Sequence, residues 1–132
     1  MPSRPLLRRT LLLLVTTILA SGTAVALQGT ATASPTQVLQ LSAKPNMVLR
    51  FNRSRLSAHP GRVKLVMFNP RTAGMAHGIA IRGNGVEVSG SVVGRGGVSS
   101  VTAQLKTGRY EYYDPVAGST QPGLHGTLIV SS

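Results

Sequence analysis

Tyr110-Glu-Tyr-Tyr-Asp-Pro-Val-Ala-Gly-Ser-Thr-Gln-Pro-Gly-Leu-His-Gly-Thr-Leu-Ile-Val130 decides how the rest of the chain is read. Two runs rich in apolar and aromatic residues, Tyr110–Tyr113 and Gly126–Val130, flank a segment of Pro, Gly, Ser and Thr. That is the pattern of two β-strands joined by a loop that carries function. Just upstream, Leu105-Lys-Thr-Gly-Arg-Tyr110 has the spacing of a tyrosine corner, in which the phenol reaches back to upstream backbone and pins a connection between sheets.

Alternation continues in both directions from this stretch. Leu39, Leu41 and Ala43 alternate with Gln40, Ser42 and Lys44 over Val38–Lys44. Leu49 and Phe51 do so over Val48–Arg53. Arg62–Asn69 is the strongest strand signal: Val63, Leu65 and Met67 share one face, and Val66 and Phe68 add apolar surface to the other. A short strand over Gly78–Arg82, a tight primed turn at Asn84-Gly85, a strand over Val86–Val93 interrupted by Gly90, and Val101, Ala103 and Leu105 complete the set. Asn69-Pro70 and His59-Pro60-Gly61 punctuate it. No segment keeps helical periodicity for three turns. The expectation is an all-β, antiparallel Greek-key β-sandwich.

The closing stretch and Met75-Ala-His-Gly-Ile-Ala-Ile81 together resemble the cupredoxins, the small secreted blue-copper proteins of the plastocyanin and azurin type. Those end in Tyr-x-Tyr-Tyr-Cys-Pro-x-x-Gly-His-x-x-x-Gly-Met-x-Gly-x-Leu-x-Val. The resemblance runs from about Val38 to Val130 and implies a cupredoxin-like sandwich with a copper site in the loop. Its Cys, His and Met, with one upstream His, would hold the metal. Here Asp114 stands at the Cys, Ser119 at the His and Leu124 at the Met; only the upstream ligand remains, as His77. The loop spacing is unchanged, so the frame is kept and three of the four ligands are lost.

Donor chemistry limits what such a loop can hold. A blue centre needs two imidazoles and a thiolate, with a weak axial thioether. The chain has no Cys, which also excludes disulfides, a lipidated N-terminal Cys and a thiol nucleophile. His77 and Asp114 are the residual metal candidates, a weak and vestigial site for Cu(II) or Zn(II). The same Asp114 also reads as an acceptor for loop backbone N–H groups. His125, next to Leu124, is expected to point to solvent, and His59 to lie in a surface turn. Tyr112 and Tyr113 read as core and rim of the last strand pair. Three carboxylates in 132 residues leave little for acid–base catalysis, and Ser119 has no base and carboxylate at nucleophile spacing, so the chain does not read as an enzyme.

The function expected is a binding or structural module without redox activity. The alternatives are the copper-binding electron-transfer role that the resemblance implies and a type 2 copper or zinc binder using His77 and Asp114. The module needs no cofactor; the alternatives would take a metal, copper foremost.

The remaining features concern location and partners. Met1–Ala33 reads as a secretory signal: Arg4, Arg8 and Arg9, then apolar Leu11–Ala20, then the small-residue motif Ala31-Thr-Ala33. Cleavage there leaves residues 34–132 as one cupredoxin-like domain, secreted or periplasmic, with no stable membrane insertion; an uncleaved anchor is the competing reading. The net charge is +11. Many of Lys44, Arg50, Arg53, Arg55, Arg62, Lys64 and Arg71 are expected to share an outer face, which reads either as a solvated surface or as one that attracts an anionic cell-envelope or protein partner. Nucleic acid is not expected, because an exported chain with 4 % aromatic residues lacks a stacking platform.

Overall fold

Apolar alternation turns into a strand wherever a neighbouring segment is present to pair with. The computed structural model describes residues 26, 28–30, 32–116 and 124–132. The chain from Thr32 to Ser132 forms one compact unit. Its strands are β1 (Gln37–Ser42), β2 (Arg55–Ala58), β3 (Gly61–Phe68), β4 (Ala80–Gly83), β5 (Val86–Ser89), β6 (Val98–Leu105), β7 (Gly108–Tyr113) and β8 (His125–Val130). The signal-peptide reading and Ser119 fall outside the described residues. Among those described, no helix is long and apolar enough to cross a membrane.

The strands form two sheets, β1-β3-β6 and β2-β8-β7-β4-β5, and the chain crosses between them repeatedly. Both sheets are mixed. β1 runs parallel to β3 and β2 parallel to β8, while every other pair is antiparallel. This corrects the wholly antiparallel expectation. Parallel partners are brought together by crossovers, which local alternation does not reveal.

Two strand boundaries differ as well. Val48–Arg53 is not a strand; its only ladder contact is an isolated bridge from Phe51 to Ala43. The strand lies just after it, at Arg55–Ala58, where Leu56 and Ala58 face the core. The strand expected over Val86–Val93 stops at Ser89, and Val93 instead bridges His77. Gly90 still donates its N–H to the Ile79 carbonyl at 2.8 Å, and it lies against β6, where a Cβ would collide with the Ser100 carbonyl.

The inward faces make one core: Leu41, Val63, Leu65, Met67, Val101 and Leu105 from one sheet meet Leu56, Ile81, Tyr112, Leu128 and Val130 from the other. The second face of β3 is less buried than its residues suggest, and Phe68 is 45 % exposed. The tyrosine corner is present. The Tyr110 hydroxyl donates to the Lys106 carbonyl at 2.9 Å and accepts from the Lys106 N–H at 3.2 Å. Tyr112 lies across Gly126, its cross-strand partner, where any Cβ would strike the ring. Its hydroxyl donates to the Arg53 carbonyl at 2.7 Å and so holds the segment that enters β2. Asn84 (φ 49°) and Gly85 (φ 79°) make the expected primed turn.

The candidate metal site is replaced by a hydrogen bond

The strands end together at one pole. β3 stops before Asn69-Pro70, since Pro70 has no N–H to continue the ladder. The chain then makes a single 3-10 turn at Arg71–Ala73 and reaches His77. β7 brings Asp114 to the same place one residue past its end. The Asp114 N–H donates to the Leu124 carbonyl at 3.0 Å, which extends the β7–β8 pairing to both loop ends.

Asn69 organises this pole. It is fully buried, and its side-chain amide nitrogen faces the carbonyls of Met75 (2.9 Å), Val93 (3.1 Å) and Gly94 (3.1 Å). Its backbone N–H donates to the Gly97 carbonyl, and its carbonyl accepts from Gly96. One side chain thus fixes the segment before His77 and the loop that pairs with it, where His77 and Val93 exchange two backbone hydrogen bonds (3.1 and 2.8 Å). Sequence reasoning reads Asn69 only as the end of a strand. The available signal was an amide side chain directly after the most apolar strand, where a buried polar group must find partners.

His77 and Asp114 meet. The imidazole Nδ1 donates to Asp114 Oδ2 at 2.6 Å, and the two side chains are 4 % and 0 % exposed. Asp114 Oδ1 accepts from the backbone N–H of Gly78 (3.1 Å) and of Val116 (3.0 Å). The carboxylate therefore has three donors and serves as the acceptor that binds loop backbone, with His77 added. Leu124 is 2 % exposed. It lines, with Leu49, Met75, Ala76 and Val116, a cavity of about 230 Å³ over His77 and Asp114. Among the described residues the second imidazole nitrogen, Nε2, has no hydrogen-bond partner.

The other histidines stand apart. His125 is exposed on the outer face of the five-stranded sheet, 3.8 Å from Glu111, which is ion-paired with Arg82 at 2.8 Å. His59 is exposed, and its Nδ1 lies 3.0 Å from the Ser131 carbonyl at the opposite pole. Tyr112 is fully buried; Tyr113 is at the rim, with the Arg82 guanidinium 4.6 Å above its ring.

No family model and no curated protein matches the chain. Solved structures do. Auracyanin B is 22 % identical over 76 % of this chain and 91 % of its own, with a TM-score of 0.62. Auracyanin A, a "blue" copper protein from the green thermophilic photosynthetic bacterium Chloroflexus aurantiacus, is 16 % identical over 74 % of this chain and all of its own, with a TM-score of 0.60. The fold is that of the cupredoxins. A reduced auracyanin from Roseiflexus castenholzii superposes similarly, with a TM-score of 0.57 at 16 % identity, over 76 % of this chain and all of that one.

A cupredoxin blue-copper centre does not fit the residues present. There is no thiolate in the chain, and among the described residues no three His, Cys, Asp or Glu side chains come together. The two donors that do meet are bonded to each other. Two nitrogen or oxygen ligands of one ion, each about 2.0–2.2 Å from it, stand about 3 Å apart or more. Nδ1 and Oδ2 are closer than that, and Oδ1 is engaged by two backbone N–H groups. An incoming metal has to break that buried hydrogen bond before it can take both donors.

Proposed function

We propose that this protein is an extracytoplasmic cupredoxin-fold module that binds a partner instead of carrying electrons or catalysing a reaction. The observation that carries this reading is the 2.6 Å bond between His77 Nδ1 and Asp114 Oδ2. It joins the two residues that stand where the resemblance expects metal ligands, and it ties up Nδ1 of one and Oδ2 of the other. A blue-copper carrier needs a thiolate ligand to tune and delocalise its electron; a binding module needs only a stable frame with exposed loops. The leader, with its basic start, apolar middle and Ala31-Thr-Ala33, supports export and a mature N-terminus near Ser34. Eleven cations lie beyond Thr32, against two carboxylates outside the core, and this imbalance supports an anionic partner.

Copper titration tests this. Purified protein with added Cu(II) is followed by visible absorption, electron paramagnetic resonance and calorimetry. The expected result is no intense band near 600 nm (about where copper–thiolate charge transfer falls) and no stoichiometric tight binding. The variant Asp114→Cys with Ser119→His and Leu124→Met restores the missing donors at unchanged loop spacing and is expected to turn blue. Tight Cu(II) or Zn(II) uptake by the native chain that His77→Ala abolishes would overturn the reading in favour of the type 2 metal binder.

A further inference from the structure

Beside His77 the chain builds an apolar apex that breaks two local rules at once. Asn46 and Met47 both take left-handed backbone (φ 60° and 56°), closed by a Val48 N–H to Pro45 carbonyl bond at 3.3 Å. Asn tolerates that region; Met does not favour it. Met47 is nonetheless placed there and is 68 % exposed, with Val48 46 %, Met75 42 % and Val116 47 % exposed around the same pole. The apex is held rather than loose. The Asn46 N–H donates to the Thr72 carbonyl at 2.7 Å, and the Met47 side chain lies in the space left by Gly74, where a Cβ would come within 2.7 Å of its Cγ. Backbone strain together with an exposed apolar side chain marks a place where stability is given up for contact.

The charge around the apex has one sign. Lys44 and Arg50 flank the turn and are joined through backbone at 2.8 Å. Arg71, on the turn that holds Asn46, packs over Gly96 beside Arg95. None of the four is ion-paired among the described residues, where the only pairs are His77–Asp114, Arg82–Glu111 and His125–Glu111. The chain has three carboxylates. Asp114 is fully buried, and Glu87 and Glu111 are on the five-stranded sheet.

We propose that this apex docks on an anionic lipid surface, with Met47 and Val48 entering the headgroup layer and Lys44, Arg50, Arg71 and Arg95 meeting the lipid charge. Four cations on adjoining segments, none of them ion-paired among the described residues, suit a partner whose negative charge is continuous in the plane. An acidic protein selects by matched points of both signs. The proposal deepens the binding-module reading and rests on it, yet its test uses no metal, so either can fail alone.

The test is co-sedimentation of the chain, expressed with its own leader, on phosphatidylcholine vesicles with and without phosphatidylglycerol. Binding is expected only with phosphatidylglycerol, and to weaken with salt as charges beyond about 8 Å are screened. Met47→Asn is the discriminating variant. It suits left-handed backbone, so its melting temperature is expected to stay level or rise while vesicle affinity falls about tenfold. Lys44→Glu with Arg50→Glu is expected to weaken binding to phosphatidylglycerol vesicles by about tenfold or more. Native protein that ignores phosphatidylglycerol, or Met47→Asn protein that binds as well as native, overturns the proposal. Capture by immobilised polyglutamate without vesicle binding does so too, and transfers the apex to an acidic protein.

Discussion

Replacing Asp114 tests whether a hydrogen bond has taken over the place of a metal. Asp114→Ala removes the 2.6 Å bond to His77 and the acceptor for two backbone N–H groups, of which Gly78 is buried. Losing the carboxylate leaves the buried His77 Nδ1–H and Gly78 N–H without an acceptor, at about 1–3 kcal/mol each, so the variant should lose about 3–5 kcal/mol. Val116 is exposed, so water can satisfy its N–H and adds little. With a urea dependence of about 1.5 kcal/mol per molar for a domain of this size, the unfolding midpoint should drop by about 2–3 M.

Asp114→Asn separates charge from geometry. Its amide oxygen can still accept from Gly78 and Val116, and a neutral imidazole can exchange tautomer to accept from the amide nitrogen. That variant should lose about 1–2 kcal/mol only. A double-mutant cycle with His77→Ala should show a coupling of about 1 kcal/mol or more. Circular dichroism against urea is the assay. Equal, small losses for Ala and Asn, or a coupling near zero, would refute the claim that the His77–Asp114 pair clasps the two loops.

Two further outcomes are expected. Tyr110→Phe leaves the Lys106 carbonyl and N–H without the phenol and should cost about 1 kcal/mol or more in urea titrations, with a neutral change refuting the corner. Burial pushes the Tyr112 phenol from 10.0 up to about 12, so the unfolded chain ionises first as pH rises. Stability from this group is therefore complete below pH 10 and declines by about 2–3 kcal/mol towards pH 12, a dependence that Tyr112→Phe should remove from alkaline melting curves.

How much could be read from sequence depends on the range of each interaction. β3, β6 and the β7–β8 pair carry unbroken alternation, and the tyrosine corner spans only the residues from Lys106 to Tyr110, so local pattern sufficed. β2 has only two inward side chains, Leu56 and Ala58, and its partner is β8 at the other end of the chain, so nothing nearby announces it. Leu49 and Phe51 alternate without a ladder to join; Leu49 lines the cavity over His77 instead. The outer face expected of the seven basic residues is not one strand face. Only Arg62 and Lys64 share a strand, and the others sit on β2 or on connections, where alternation has no meaning. At the site, the sequence singles out His77 and Asp114, which the structure brings to one pole, and the carboxylate of Asp114 does accept backbone N–H groups. That the two side chains bond to each other is a tertiary fact, as is the grip of Asn69 on three carbonyls.

The parallel placement of β1 and β2 has a consequence for how the chain reaches this state. Antiparallel pairs such as β4–β5 and β7–β8 join neighbours in sequence. β2 has no partner until β8 exists: Arg55 waits for Thr127 and Ala58 for Val130, the last strand residue made. Contacts so distant in sequence are entropically late, and chains rich in them fold slowly. During synthesis this chain carries β2 as an unpaired strand after β1 and β3 can already pair. Its high positive charge then has a second use, because like-charged chains repel before their edges can meet.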